Sequence, residues 1–537
     1  MKILVCDPVS PKGIALLQQR PEFDVVVLPK RLSEPELLPL VKDVAAMVVR
    51  SETKVTRKVI EAAPQLRVVG RAGVGVDNVD VEAATQRGVV VMNTPGGNTV
   101  STAELSFAML LNLARKVPQA HGSMVAGKWD RKQFQGTELA GRTLGVLGLG
   151  RIGSEVAKRA LAFGMRVLGY DPFLSDARAK ALGIELLGDL DDVYRDADFI
   201  TIHMPVTDQT RGMLNAAAFA KMKPKVCLVN CARGEIVDEA ALVEALQTKR
   251  IAGAAIDVFE NEPPKGSKLL ELDNVVLTPH LGASTKEAQE KVSMEMAEHV
   301  KIFLLENKIS NAVNAPMSKM DPKVAPFVGI AERLGSFCLQ LVDGPVKKVE
   351  VEVHGEIANL DTKMVTVSAL IGVLSNITGE NTNVINANHI AREKGIQIME
   401  AKVDEAGLYT NMLVVRVHSD GSRHEVRGTA FPSDEPRLLG IDEFDLDMPL
   451  EGDFILTKHE DMPGMIGRVG SLLGSKGINI AQMGVGREGK GKKALMLISV
   501  DDPVNKDVLD ALKALPNFKE AHYVRLSHMK AKEYMNV

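Results

Sequence analysis

Four cysteines in 537 residues are too few for a disulfide framework, and such sparse usage suits a reducing cytoplasm, which is the compartment expected. Cys227 and Cys231 stand four apart, but no His or Cys pair at zinc spacing follows them. They read as buried strand-end residues, and no metal is expected. Charge of one sign is also lacking. The net charge of −4 gives no general electrostatic reason to bind nucleic acid or an anionic membrane. No apolar run approaches the roughly 18 residues that span a bilayer. There is no low-complexity tract and no repeat at solenoid period. The start, Met1-Lys2-Ile3-Leu4-Val5-Cys6-Asp7-Pro8, reads as a strand and turn, not a signal peptide. Fibrous, secreted and membrane classes are thereby disfavoured. What is present is ordinary globular stock, 45% hydrophobic and 25% charged, in a chain long enough for three or four domains of about 150 residues.

The first half alternates β-rich apolar runs with helical stretches, the pattern of parallel α/β units. Residues 3–6, 23–28, 45–49, 66–69 and 89–92 read as short buried strands, and 81–87 as a helix closed by Gly88. A long amphipathic helix over 102–116 leads into a second set of strands at 143–147, 166–170, 199–203, 226–230, 253–258 and 275–278. Two packed lobes follow from this. The helix expected over 284–306 should return to the first lobe and make it discontinuous in sequence. The texture changes after Asn314-Ala315-Pro316: one strongly helical stretch, 326–342, stands among alternating strands such as 349–353 and 413–418. From 454 onward a βαββαβ unit is expected, with helices at 465–475 and 504–515 and strands at 454–457, 480–486, 494–500 and 521–526.

The run Thr143-Leu144-Gly145-Val146-Leu147-Gly148-Leu149-Gly150-Arg151-Ile152-Gly153 is a strand entering G-x-G-x-x-G and then a helix, expected over 154–163. The glycine spacing alone is weak evidence, but here its context is complete. Gly148 permits the tight turn, Gly150 lets a pyrophosphate approach the backbone, and Gly153 allows close helix–strand packing, with the helix N-terminus facing the phosphates. Asp171 stands 18 residues beyond Gly153, close to the spacing of about 20 at which an acid bonds the adenosine ribose. Its carboxylate would repel a 2′-phosphate, and Pro172-Phe173 supplies no compensating Arg. NAD is the cofactor expected.

Three short sequences each follow a strand of the second unit: Asn230-Cys231-Ala232-Arg233-Gly234, Asp257-Val258-Phe259-Glu260-Asn261-Glu262-Pro263 and Thr278-Pro279-His280-Leu281-Gly282-Ala283. In an open α/β sheet, ligands bind at the carboxyl ends of the strands, so all three border a cleft. The set suits a 2-hydroxy acid. Arg233 can clamp a carboxylate and polarise the C2 oxygen, and His280 can take the hydroxyl proton or return it. Glu262 beside His280 would favour the imidazolium and fix the ring. Glu260 could be the histidine's partner instead, if the loop ran differently.

These residues resemble the D-isomer-specific 2-hydroxyacid dehydrogenase family. Over nearly the whole chain they resemble its long-form members, which oxidise 3-phospho-D-glycerate with NAD at the entry to L-serine synthesis. The resemblance selects Glu262, the acid directly before proline. It implies two Rossmann-like lobes: a substrate-binding lobe from 1–97 and 284–315, and an NAD-binding lobe over 98–283. An α+β intervening domain over 316–452 and a βαββαβ ACT domain over 453–537 would follow. It also implies NAD contacts from Arg151, Ile152, Asp171, Cys231, Ala232, Arg233, Asp257 and the stretch from His280 through Gly282 and Ala283. In the first lobe it implies carboxylate donors at the Gly73 and Val74 amides. Arg50, Ser51 and Arg71 would then partner the phosphate end, with Asn98 closing the same pocket. Trp129, the single tryptophan, is expected in core or subunit packing, because nucleotide-binding lobes of this family pair as dimers.

The ACT resemblance rests on Lys458-His459-Glu460-Asp461-Met462-Pro463-Gly464, an apolar-faced helix, and Gly477-Ile478-Asn479-Ile480. Pro463 favours a helix first turn, whose free N–H groups can receive a carboxylate. Asp461 and Asn479 can meet the ammonium and backbone-like ends of an amino acid, with His459 near by. By resemblance, L-serine is the effector between paired ACT domains and inhibits, and the assembly is a homodimer or homotetramer. A second anion site in the intervening domain has Arg423, Arg427 and Lys394 as candidates. Two rival readings stand beside this one. The first is a dehydrogenase for glyoxylate, hydroxypyruvate or 2-hydroxyglutarate, which has little use for amino-acid feedback. The second is a non-catalytic NAD-sensing corepressor, which has little use for an intact Arg233/Glu262/His280 set.

Overall fold

The computed structural model describes residues 1–315, 320–378, 382–431 and 435–526. Pro316, where the texture of the sequence changes, and residues 527–537 of the last expected domain lie outside them. Two parallel sheets carry the first half of the chain. The first has five strands, Lys2–Val5, Asp24–Val27, Val44–Val49, Val68–Arg71 and Val90–Met92, in spatial order 2-1-3-4-5. Every residue of Val44–Val49 is buried, as a strand covered on both faces requires. Helix Lys286–Glu306 lies against this sheet. Its Met296, Val300 and Phe303 share a core with Ile3, Val5 and Val68. Thr285 caps the helix by accepting from the Ala288 N–H (3.1 Å).

The second sheet has seven strands, Thr143–Leu147, Arg166–Tyr170, Glu185–Leu186, Phe199–Ile202, Cys227–Asn230, Gly253–Ile256 and Val275–Leu277, in order 3-2-1-4-5-6-7. This is the doubly wound nucleotide-binding order with one strand added. The first sheet's 2-1-3-4-5 is the other common doubly wound order. In both, the strand order reverses beside the first strand, which places a crevice at its carboxyl end. The helix expected over 102–116 begins earlier, at Thr99, and stops at Arg115, where Lys116 turns left-handed (φ 53°) into a second helix, Val117–Val125. That second helix buries none of its side chains. Trp129 just beyond it is 73% exposed, so within the single chain it is not a core residue.

The third sheet has six strands, Val346–Gly355, Gln397–Val403, Asn411–Ser419, Arg423–Phe431, Glu435–Ile441 and Phe444–Pro449, in order 2-1-3-4-5-6. The first two pair parallel and the rest antiparallel. Two long helices, Ala325–Leu339 and Lys363–Thr378, pack on each other and share the sheet's core, where the sequence pointed to one. Every residue from Met364 to Leu374 is buried. A helix covered on all sides needs no polar stripe, so its β-branched apolar run carries no helical period. The opposite sheet face is charged: Arg416 reaches both Glu352 and Glu425, and His418 reaches Glu350 (3.3 Å). The fourth sheet, Gly452–Glu460, Ile480–Arg487, Lys493–Val500 and Phe518–Leu526, is antiparallel in order 2-3-1-4, with helices Met465–Ser475 and Lys506–Lys513 between its strands.

Candidate active site

The glycine turn of the second sheet is shaped by close approach. Gly148 holds φ 90°, and a Cβ there would stand 2.6 Å from the His203 carbonyl oxygen. One at Gly153 would stand 1.9 Å from that of Gly148, so helix Arg151–Ala162 can close on the strand only without a side chain at this point. In front of Gly150 nothing lies within 4 Å, and no side chain caps the helix, which leaves its first N–H groups open to an anion. Arg151 and Ile152 form its first turn, so the helix begins three residues before the expected Ser154. Asp171 accepts from the Leu149 N–H (2.8 Å) on one oxygen and the Phe173 N–H (2.9 Å) on the other. Each oxygen keeps a lone pair for a ribose hydroxyl. These groups fit a dinucleotide with an unphosphorylated ribose.

Beyond the neighbouring strands, Asn230 ties its own turn. Its amide donates to the Arg233 carbonyl (2.8 Å) and its oxygen accepts from the Ala232 N–H (3.0 Å). The Cys231 thiol faces inward against Met109, and burial pushes its pKa up to about 12, so only the backbone of Cys231 faces outward chemistry. Asp257 is fully buried (0% exposed). It accepts from the Thr278 hydroxyl (2.6 Å), the Leu281 N–H (2.7 Å) and the Gly282 N–H (3.0 Å), leaving one acceptor position. This carboxylate holds the loop in which His280 sits left-handed at φ 55°, a conformation a non-glycine residue keeps only when its surroundings fix it. Ser101 and Thr102, at the start of helix Thr99–Arg115, add hydroxyl bonds to the Gly282 carbonyl (2.9 and 3.0 Å), next to Ala283.

His280 Nδ1 lies 2.8 Å from Glu262 Oε2, and Glu262 Oε1 accepts from the Phe259 N–H (3.1 Å). Burial raises the Glu262 pKa, but the bond to His280 and its charge outweigh this and hold the carboxyl below its ordinary value. Glu260 faces elsewhere, lining a polar cavity of about 760 Å³ with Arg211, Glu235 and Glu239. Arg233 reaches across to the first lobe, where Nη2 meets Asp77 Oδ2 at 3.2 Å. Its guanidinium lies against Gly75, where a Cβ would stand 1.8 Å away.

The first lobe answers with two more arginines. Arg71 is half-buried, with a buried Nε that has no partner. Burial and the charges of Arg233 and Arg50 depress its pKa to about 10, partly offset by Asp77 and Asp7. Arg50 places Nη1 3.4 Å from the Pro8 carbonyl, and Ser51 beside it is exposed. The Gly73 carbonyl accepts from the Thr94 N–H (2.9 Å), and the Val74 carbonyl accepts from the Asn93 amide (2.6 Å). The Gly73 N–H turns onto the Arg71 carbonyl (2.9 Å), so it is not free for a carboxylate in this geometry. Asn98 has a buried Oδ1 without a partner. Asp77 and Asp7 escaped the sequence reading because their partners come from other strands.

In the fourth sheet His459 is 3% exposed and stacks on Phe518 (5.2 Å). Asp461 lies 3.3 Å from Arg487 Nη1. Asn479 donates to Asp501. Strand register puts Ile480 beside Val500 and Val500 beside Asp453, whereas Arg487, Ala494 and His459 share the other end. Asp461 and Asn479 therefore stand at opposite ends of one sheet. In the third sheet the anion-site candidates Arg423 and Arg427 approach Glu425 (3.8 and 3.9 Å). Lys394 follows helix Ala387–Glu393 on a different element.

Residues 107–282 match the NAD binding domain of the D-isomer specific 2-hydroxyacid dehydrogenases, 323–442 the D-3-phosphoglycerate dehydrogenase intervening domain, and 454–517 the ACT domain. The chain is 44% identical over 529 residues to the D-3-phosphoglycerate dehydrogenase of Methanocaldococcus jannaschii, covering 98% of this chain and 100% of that protein. The chain belongs to the D-3-phosphoglycerate dehydrogenase family. The Archaeoglobus fulgidus member is 45% identical over 534 residues, covering 98% of this chain and 100% of that one. Among solved structures, the TT0316 protein of Thermus thermophilus aligns with a TM-score of 0.54 at 36% identity over 58% of this chain and 100% of its own. A Staphylococcus aureus NAD-dependent formate dehydrogenase in complex with NAD aligns at 0.52 and 29% identity, over 58% of this chain and 98% of its own. As a family member the chain is an NAD-dependent 2-hydroxyacid dehydrogenase with an appended small-molecule-binding module. No helix among the described residues is long and apolar enough to cross a membrane.

Proposed function

We propose that this chain oxidises 3-phospho-D-glycerate to 3-phosphonooxypyruvate, the first step of L-serine biosynthesis, in the cytoplasm and as a homo-oligomer. The observation that carries the reading is the convergence on one cleft of the His280–Glu262 pair (2.8 Å) and three arginines coupled through Arg71. A substrate bearing both a carboxylate and a phosphate answers three cations, whereas a small 2-hydroxy acid needs one. The Gly148–Gly153 turn and Asp171 would hold NAD, which would supply the hydride acceptor for C2. Arg233 pairs with the carboxylate and polarises the C2 oxygen, and the Val74 amide is the main-chain donor. With Nδ1 turned to Glu262, Nε2 of His280 is the position that takes the hydroxyl proton, and Glu262 stabilises the resulting imidazolium. Arg50 and Arg71 meet the phosphate.

L-serine binding between paired ACT domains is the proposed feedback. Support comes from the separation of Asp461 and Asn479 along one sheet, since two ends of one sheet can meet only across a second copy. The test follows NADH absorbance with 3-phospho-D-glycerate against glyoxylate, hydroxypyruvate and 2-hydroxyglutarate couples, with and without L-serine. Turnover is expected with the phosphorylated acid and falls when serine is added. His280→Ala should lower kcat by at least about 100-fold, the usual scale of a lost general base, with NADH binding kept. No turnover of 3-phospho-D-glycerate by the wild type sinks the assignment.

A further inference from the structure

Asp7 is a buried carboxylate, 3% exposed, for which the chemistry above has no use. It follows the first strand of the first sheet, and Arg50 follows the third. These two strands are neighbours, and the order 2-1-3-4-5 reverses between them, so both carboxyl ends open on the crevice. Asp7 Oδ2 accepts from the Arg50 N–H (2.6 Å) and the Thr53 N–H (3.1 Å), and Oδ1 accepts from the Thr53 hydroxyl. The Pro8 carbonyl next to it lies 3.4 Å from Arg50 Nη1. From the other side Asn78 donates to the Arg50 and Thr53 carbonyls (2.8 and 2.6 Å). The peptide groups of this short loop are thus gripped on both faces. A negative charge is kept dry at a site where an apolar residue would have served packing alone.

We propose that Asp7 is the positioning residue for the phosphate end of the substrate, acting through Arg50. It fixes where the Arg50 backbone starts and so where the guanidinium can reach. Pre-set geometry of this kind lowers the ordering cost of clamping an anion. The inference rests on the phosphate-end reading given above.

The test compares reduction of 3-phosphonooxypyruvate and of hydroxypyruvate, the same acid without the phosphate, by NADH. In Asp7→Ala the ratio of the two kcat/KM values is expected to fall at least tenfold, through KM for the phosphorylated acid. Arg50→Ala should lower it similarly, and the double variant should lower it little further, because the two residues act as one unit. Asp7→Asn, whose amide oxygen can still accept from both N–H groups, should keep most of the ratio. Thr53→Val, lacking one bond, should lose about threefold, and these two variants decide the matter if Asp7→Ala does not fold. Equal loss on both substrates, or full additivity with Arg50→Ala, overturns the inference and leaves the functional reading intact. A wild type that does not reduce 3-phosphonooxypyruvate overturns the functional reading itself.

Discussion

Glu260 and Glu262 are two residues apart and chemically alike, and only one of them bonds to His280. Charge alone cannot separate them. The loop delivers Glu262 to the ring and turns Glu260 toward another cavity. Glu262→Gln is expected to lower kcat by at least tenfold: a neutral amide can donate to Nδ1, which favours the tautomer with the proton on Nε2, and it no longer stabilises the imidazolium. Glu260→Gln should leave kcat within twofold. Steady-state rates of the two variants check this, and equal losses would refute the pairing as the functional one. Arg71 shows the same dependence on surroundings. A guanidinium is ordinarily charged without cost, but here burial beside Arg233 and Arg50 brings its pKa down to about 10, a tension that an incoming phosphate would relieve.

At the level of elements, the six-stranded sheet sets helices on one face and paired charges on the other. Arg416 hydrogen-bonds Glu352, and this with His354 holds the Glu352 carboxyl below its ordinary value against a smaller opposing effect of burial. A carboxylate held low in the native state stabilises it at pH above the unfolded value of about 4.3, and that contribution is lost as pH falls through the lowered native value. Glu352→Gln should therefore be less stable than wild type at pH 7, with the gap closing as pH falls below about 5. Urea unfolding of both proteins at pH 7, 5 and 3 measures the gap, and a gap independent of pH would remove Glu352's charge as its source. The charged face also explains why Arg423 and Arg427 make poor candidates for an anion site: Glu425 stands beside both.

Across the whole molecule, the crevice is made by two sheets, whereas the ACT domain is one sheet with Asp461 and Asn479 at its opposite ends. Asp461→Ala and Asn479→Ala should each abolish serine inhibition in the pure variant. Mixed and reassembled oligomers of the two should recover part of it, because pairing one of each leaves one intact site in two. Inhibition curves of the mixture check this, and absence of any recovery would place the two residues in separate sites. The intervening domain also touches the catalytic half directly, where the Asn383 amide donates to the Gly88 carbonyl (3.0 Å).

The glycine fingerprint, the strand-end positions of Arg233, Glu262 and His280, and the order of α/β units were legible from sequence, because each depends on neighbours within a few residues. Helix Lys363–Thr378 was not, since burial on every side from Met364 to Leu374 erases the polar stripe by which a helix is recognised. Nor were Asp7, Asp77 or the choice of Glu262 over Glu260 on residue chemistry alone. Their meaning comes from segments far apart in the chain whose ends meet in space, as when Asp7 takes the Arg50 N–H and Asp77 takes the Arg233 guanidinium. The scarcity of cysteine and of unbalanced charge restricted the class of protein; the packing of two sheets against one crevice decided which of its many ordinary charges face one another.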